Sequence, residues 1–140
     1  MDAKTPLVIT KSIDINPATA LPVDHILFIC PEGAEYEVVE VKEAHTVAGS
    51  DGGAVTGDIK KHSAGTAPDA GTSVLSSTFN LKSTANTPVS KNTASGLAAQ
   101  SVRRLTGGQM LSQDFTGTLT ALAGCCVTVV LKMLRPPIYR

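Results

Sequence analysis

The sequence has no tryptophan and few aromatic residues of any kind, since aromatic side chains make up 4% of its 140 residues. Valine, leucine, isoleucine, alanine and threonine are plentiful instead. This balance favours a thin core of aliphatic and β-branched side chains. A chain of this length can bury such a core as one domain, without disulfides or a metal.

The sequence also has no excess of charge of either sign. Twelve basic residues balance twelve acidic ones, so the formal net charge is zero. The chain therefore lacks the global positive field that drives counterion release from DNA or RNA, and we expect no nucleic-acid partner. We interpret the adjacent basic pairs, Lys60–Lys61 and Arg103–Arg104, and the basic tail residues Arg135 and Arg140, as solvated charge.

Long hydrophobic runs are absent. Residues 1–11 are polar and mixed in charge, without the apolar stretch of a signal peptide, so we expect synthesis in a cytoplasm. The most membrane-like segment, Thr118 to Leu131, is too short for a bilayer core of about 30 Å and contains threonines and Gly124. A pair of buried strands explains this segment better, and we expect no membrane partner.

Cysteine is scarce and has no metal-ligand spacing. The three cysteines, Cys30, Cys125 and Cys126, form an odd set. Neighbouring residues of a strand point to opposite faces, so Cys125 and Cys126 cannot share one environment. We expect free, mostly buried thiols, and a disulfide from Cys30 to one of the other two remains the alternative.

The pattern that is present is typical of an all-β domain. Short segments rich in valine, isoleucine, leucine and threonine recur between clusters of glycine, proline, asparagine and aspartate. Helical periodicity supports at most one short turn within Ala94 to Arg104 and another within Asn16 to Ala20. The predicted strands are Leu7 to Ile13, His25 to Cys30, Glu35 to Val47, Ala54 to Lys61, Val74 to Leu81, Leu97 to Leu105, Leu111 to Phe115 and Cys125 to Leu134.

These strands predict a single β-sandwich or jelly-roll-like domain over residues 25–134. Residues 1–24 form an extended N-terminal arm or edge segment, and residues 135–140 form a C-terminal tail. Thr118 to Leu122 either extends the seventh strand or forms another. Residues 49–53, 64–72 and 85–95 are rich in turn residues and are predicted to be loops.

Side-chain alternation predicts which faces are buried. Val127, Val129, Leu131 and Met133 share one parity and should face the core. In the third strand, Tyr36 and Val38 have one parity and Val39 and Val41 the other. The switch indicates a β-bulge or a strand buried on both faces.

The histidines do not predict a metal site. His25, His45 and His62 are far apart in sequence and form no HxH or HExxH motif. Surface or hydrogen-bonded histidine is the simpler interpretation. We expect no bound metal and no cofactor.

No local motif predicts catalysis either. Ser50 lies in the glycine-rich loop 49–53, which has neither a GxSxG elbow nor the ligands of a phosphate or calcium loop. Gly124–Cys125 does not match a nucleophile motif. Asp114 precedes Phe115 and is interpreted as a turn or edge carboxylate before a core residue. We therefore expect that the protein is not an enzyme and has no catalytic residues.

The termini are the predicted contact regions. Pro6, Pro17 and Pro22 lie in the N-terminal segment, and the chain ends in Arg-Pro-Pro-Ile-Tyr-Arg. Proline removes ladder donors and favours extended backbone, so either end can lie on a neighbouring subunit, or can simply fray. The predicted partner-contact residues are Leu7, Ile9, Ile13, Ile15, Ile138 and Tyr139. The alternative is that these side chains only cover the edge of the sandwich.

Three longer segments, Val39 to Ile59, Gly65 to Thr87 and Asp114 to Lys132, together resemble a family of small structural proteins of tailed bacteriophages. The resemblance covers about half the chain and consists of turn and strand patterns rather than a catalytic signature. Its motifs are EV at 40–41, HTVAG at 45–49, DGGAVT at 51–56, GTAP at 65–68, GTSVL at 71–75, FNLKSTANT at 79–87 and DFTGTL at 114–119. Cys125 and Cys126 depart from the pattern, where plain aliphatic residues are expected, and the proline-rich ends do not match it.

The resemblance implies a virion protein that decorates or cements the outer capsid surface. Its implied partners are the major capsid protein and further copies of the chain, with a homotrimer favoured. A tail or head-tail connector protein is one alternative. A carbohydrate-binding β-sandwich of a fibre is another, although sugar sites usually use exposed aromatic rings, which are few here.

Overall fold

The computed structural model describes residues 6–13 and 24–138. Over these residues the chain folds as predicted, into an all-β, sandwich-like single domain of two five-stranded antiparallel sheets. Sheet A runs in the order β1 (Leu7–Ile13), β10 (Cys125–Arg135) and β3 (Glu35–Ala44). The far side of β3 pairs with both β7 (Val89–Asn92) and β8 (Arg104–Thr106).

Sheet B runs in the order β2 (His25–Ile29), β9 (Met110–Thr116) and β4 (Thr56–His62). Two short strands, β5 (Thr72–Ser73) and β6 (Phe79–Asn80), pair with the far side of β4. The remaining regular elements are a 3-10 turn, Pro68–Ala70, and a single helical turn, α1 (Gln100–Arg103). No helix in these parts of the chain is long and apolar enough to cross a membrane.

The core lies between the sheets and is built from aliphatic side chains, as the composition predicts. Val127, Val129 and Leu131 on β10 are buried, and Met133 packs against the core, so the predicted inward face of this strand is confirmed. Phe28 of sheet B meets Tyr36 of sheet A edge to face, with ring centroids 5.3 Å apart. Few bulky side chains are therefore needed to fill the space between the sheets.

Of the two alternatives predicted for β3, a bulge or a strand buried on both faces, the structure shows the bulge, at Val39. Val130 of β10 lies opposite Glu40 and Leu131 lies opposite Val38, so Val39 is an extra residue without a partner on β10. The extra residue lets Val38 and Val41, three positions apart, both face the core.

Most predicted strands match observed ones within a few residues, but Val74 to Leu81 and Leu97 to Leu105 are wrong as continuous strands. The first contains only β6, and β5 ends just before it, because Val74 and Leu75 bond to separate partners, Ile59 and Leu97. The second contains α1, as the predicted short helical turn, and only then β8. Thr118 to Leu122 is irregular rather than a strand. The turn predicted within Asn16 to Ala20 lies outside the described residues.

The predicted loop 85–95 contains a strand that sequence reasoning missed. β7 pairs with Glu40 to Glu43 of β3. Its inward positions are Val89 and Lys91, and the Lys91 ammonium lies 5.1 Å from the centre of the Phe79 ring. A lysine stem can cover apolar surface while its charged end reaches solvent, so this strand lacks the expected apolar alternation.

The three cysteines are free, as predicted. The Cys30 thiol donates to the backbone carbonyls of Ala34 and Leu105. Cys125 is buried and Cys126, on the opposite face of β10, is half-buried.

Candidate protein–protein interface

Strands β1 and β2 end the two sheets on the same side of the sandwich and contact each other there. We call this side the β1–β2 edge. Among the described residues, each of the two strands pairs on one side only. Unpaired edge backbone can pair with an added strand, so this side is the first place to look for a protein contact.

β1 is the most regular edge of the two sheets. Its seven residues pair with β10 without a register shift, from Leu7 opposite Leu131 to Ile13 opposite Cys125. The edge strands on the opposite side, β5 to β8, are two to four residues long. Short edges are a common protection against unwanted pairing, and β1 has only one charged residue, Lys11, to serve that purpose.

The predicted contact residues on β1 divide between solvent and core. Leu7 is 38% exposed, and Ile9 is partly buried against the core. Ile13 pairs through its backbone, and its side chain lies outside the described part of the structure. Ile15 also falls outside it. Val8, for which the sequence predicts no contact role, is 54% exposed and lies opposite Val130 on the outer face of sheet A.

β2 adds two exposed isoleucines that sequence reasoning missed. Ile26 pairs with Ser112 and Phe28 with Leu111, so Leu27 is an extra residue. The bulge places Ile26 and Ile29 on the outer face of sheet B, where they are 52% and 60% exposed. Nothing in the continuous apolar run Ile26–Ile29 signals a bulge, so the local pattern could not separate its inward from its outward residues.

The described part of the C-terminal tail is held against the turn that follows β2. The Arg135 guanidinium donates to the Gly33 carbonyl at 2.8 Å, and the Ile138 amide donates to the Glu32 carbonyl at 3.1 Å. The Ile138 side chain covers Gly33, where an added Cβ would lie 2.6 Å from its Cγ1 atom, and still remains 57% exposed. Tyr139 lies beyond the described residues.

A polar cluster occupies the outer face of sheet B over β9, β4 and β5. Lys60 forms an ion pair with Asp114 at 2.8 Å, and Asp58 accepts hydrogen bonds from the Ser73 hydroxyl and the Ile59 amide. Both aspartates are buried. The interpretations of Lys60 as solvated and of Asp114 as a turn or edge carboxylate are therefore wrong, because Asp114 lies on the central strand β9. The shared parity of Asp58, Lys60 and His62 is the signal that could have revealed this polar face.

Burial and charge set the ionisation of this cluster. Desolvation raises the pKa of Asp58, against the effect of its hydrogen bonds. Desolvation, followed by the neighbouring Asp114 carboxylate, raises the pKa of Asp24. The hydrogen bond to Asp114 raises the pKa of Lys60. The positive charge of Lys60 therefore offsets the negative charge of several nearby carboxylates, with Asp114 as its direct partner.

His62 and Ser112 form a pair that resembles a nucleophile and its base. His62 Nδ1 donates to the Thr66 carbonyl, so Nε2 accepts from the Ser112 hydroxyl, 2.6 Å away. Ser112 is fully buried, and the 3-10 turn Pro68–Ala70 of the loop 63–71 packs on β4 and β9. Thr66 belongs to that same loop. A substrate could reach Ser112 only if this loop moved aside. That movement would also displace the Thr66 carbonyl that orients His62, so we interpret the pair as a contact that holds the loop in place.

A second buried cluster joins Glu43, His45 and Cys125. Glu43 Oε1 accepts from His45 Nδ1 at 2.9 Å and from the Cys125 thiol at 3.6 Å. The carboxylate, not the histidine, contacts the sulfur, and burial raises the pKa of the Cys125 thiol to about 12. A reactive cysteine needs the opposite shift, so this cluster has the chemistry of a structural contact.

His45 and His62 are thus buried and hydrogen-bonded, and His25 meets the Phe115 ring edge to face. Within residues 6–13 and 24–138, no group of three or more histidine, cysteine, aspartate or glutamate side chains is placed to hold a metal ion.

No protein-family model matches this sequence, and no curated protein is significantly similar to it.

Proposed function

We propose that this protein is a structural component of a tailed-bacteriophage particle, a capsid decoration protein that binds the outer shell and stabilises neighbouring capsomers. Its place would be the virion surface, its partners the major capsid protein and further copies of itself. The resemblance of residues 39–59, 65–87 and 114–132 motivates the phage assignment. The β1–β2 edge carries the argument for binding.

The supporting observation is that strand backbone without a partner among the described residues and exposed apolar side chains occur at one edge. β1 offers an unbroken seven-residue strand. Val8 on β1, and Ile26 and Ile29 on β2, are each more than half exposed. Strand addition gains main-chain hydrogen bonds, and the neighbouring apolar side chains add buried area and specificity. Many such contacts repeated by the symmetry of a shell give high avidity from modest single affinities.

The neutral net charge fits the same role, because copies packed densely on a shell do not repel one another strongly. The carbohydrate-binding alternative is weakened. Tyr36, Phe79 and Phe115 are buried and Phe28 packs against the core, so these rings cannot offer a stacking platform for a sugar.

The test is co-sedimentation with empty shells of the source virus. The wild-type protein should saturate the shells at a fixed number of copies per capsomer. Val8→Lys and Ile29→Lys place a charge on each side of the β1–β2 edge and should each weaken binding at least tenfold, while circular dichroism and melting temperature stay near wild type. Thr93→Lys, an exposed position away from this edge, is the matched control.

Two results would overturn the proposal: a folded wild-type protein that does not bind shells, or binding that is equally strong in the edge variants and the control. Binding to isolated tails instead of shells would favour the connector alternative.

A further inference from the structure

The end of β4 presents two adjacent lysines in opposite electrostatic situations. Lys60 has Asp114 as its counter-ion. Lys61 is half-buried, its ammonium donates to the Arg104 carbonyl at 2.9 Å, and no carboxylate of the described residues lies within ion-pairing distance. Burial lowers the pKa of Lys61, as expected for a desolvated cation without an anion.

Lys61 lines an open cavity of about 230 Å³ between the end of β4, the loop 63–71 and Gln109. This volume is small for an organic ligand, since pockets for drug-sized molecules run from about 300 to 1,000 Å³. It suits a single compact polar group. The lining residues with polar side chains are Lys61, His62, Ser63, Thr66, Thr72 and Gln109.

Several polar groups that line the cavity can donate a hydrogen bond. The hydroxyls of Ser63, Thr66 and Thr72 can each donate or accept and make no hydrogen bond to the described residues, and no lining residue is acidic. The Gln109 side-chain oxygen already accepts from the Thr106 amide and hydroxyl, which leaves the Gln109 amide N–H groups available. His62 uses both ring nitrogens within the protein.

We propose that this cavity binds a small oxyanion, the carboxylate or phosphate group of a ligand, with Lys61 as its counter-ion and the hydroxyl and amide groups as hydrogen-bond donors. A lysine ammonium with neighbouring donors is a common way to hold a phosphate or carboxylate. The anion would supply the missing charge partner of Lys61. This inference is independent of the proposed function.

The experiment is an NMR titration of the ¹⁵N-labelled full chain at constant ionic strength, with inorganic phosphate in one arm and N-acetylglutamate amide in another. The first probe reports a free ion, the second an acidic side chain of a partner protein. Saturable shifts of the backbone amides of Ser63, Thr66 and Thr72, in either arm, are expected. Chloride at equal ionic strength should not reproduce them.

Lys61→Met removes the charge but keeps an apolar stem of similar length, and should weaken the binding at least tenfold. Lys132→Met, at an exposed position on β10, should bind like wild type. If Lys61→Met does not fold, Thr72→Val serves as the second variant and should weaken binding several-fold by removing one donor.

Three outcomes would overturn the inference. One is the absence of saturable shifts with both probes. Another is equal affinity in Lys61→Met and wild type. The third is that neutral methyl glucoside produces the same shifts in both proteins, which would make the cavity a neutral polar site.

Discussion

Arg103 is the single side chain whose loss should destabilise the fold most clearly. It is 8% exposed, so the interpretation of its charge as solvated is wrong, and it donates to three acceptors: the Ala98 carbonyl at 2.8 Å, the Val38 carbonyl at 2.7 Å and the Glu37 carboxylate at 3.2 Å. Val38 directly precedes the bulge at Val39, where the ladder with β10 is interrupted. The arginine thus ties α1 to the irregular part of β3.

Arg103→Ala should lower the free energy of unfolding by about 3–5 kcal/mol, the range for removing one partner of a buried ion pair. Most of this loss comes from Glu37, which is 5% exposed and would keep an uncompensated charge. The two carbonyls that lose a donor add to it. Replacing both partners with apolar residues should recover much of the loss, so Arg103→Met with Glu37→Met is expected to be more stable than Arg103→Ala.

The assay is equilibrium unfolding in urea, followed by circular dichroism, with the denaturant slope checked for two-state behaviour. Arg104→Ala is the control, because the side chain of Arg104 is 45% exposed and lies 3.7 Å from Glu35. Its loss should cost under about 1 kcal/mol. If Arg103→Ala costs no more than the control, or if the double variant is no more stable than Arg103→Ala, the ion pair of Arg103 with Glu37 does not stabilise the fold in this way.

Three further predictions concern Cys125, Asp58 and Gly117. Cys126 should react with a thiol reagent in the folded protein near neutral pH, while Cys125 should stay unreactive until the protein unfolds. The reason is that burial raises the pKa of the Cys125 thiol to about 12, which leaves almost no thiolate. Equal labelling rates for the two cysteines, measured by mass spectrometry of labelled peptides, would contradict this. The pKa of Asp58 is raised in the folded state above its ordinary value of 3.8. Its contribution to stability is therefore full below pH 3.8 and is lost as the pH rises through the raised pKa. The melting temperature of the wild-type protein should fall over this pH range, and Asp58→Asn, measured between about pH 3 and 7, should lack the part of that fall that Asp58 causes. Gly117 has a φ of +91°, and an added Cβ would collide with the Ala54 carbonyl, so Gly117→Ala should cost more than about 1 kcal/mol in urea unfolding, whereas Gly52→Ala, with open space around it, should change little.

The fold class could be predicted from the sequence because alternation is strong where a strand is half-buried. In β10, Val127, Val129 and Leu131 alternate with more exposed residues, and both the face and the strand follow. The bulge at Val39 could be predicted as well, since the apolar parity switches there. In these places local pattern and tertiary burial agree.

Other features depend on tertiary contacts that no local pattern reports. β7 has a lysine on its inner face, so it resembles a loop in sequence. The bulge at Leu27 lies in a uniformly apolar segment, and only the register with β9 reveals that Ile26 and Ile29 are both outside. The ion pair of Lys60 with Asp114 joins residues more than fifty positions apart, and the sequence indicated only that each was charged.

Candidate contact residues could be predicted only by type and region. The sequence predicts Leu7 and Ile138 as contact residues because apolar residues at proline-rich ends lack an obvious core, and both are exposed at the surface. Ile9 is partly buried instead, because β1 pairs with β10 in sheet A and Ile9 packs against the core. Whether these residues bind a partner stays a prediction.

Recognition by the β1–β2 edge can be tested by amide hydrogen exchange of the chain, free and bound to empty shells. We expect bound protein to gain protection over Leu7–Ile13 and His25–Ile29, with little change in β5 to β8. Protection confined to the opposite side of the sandwich, or no change at the β1–β2 edge in protein that is demonstrably bound, would show that another surface binds the shell.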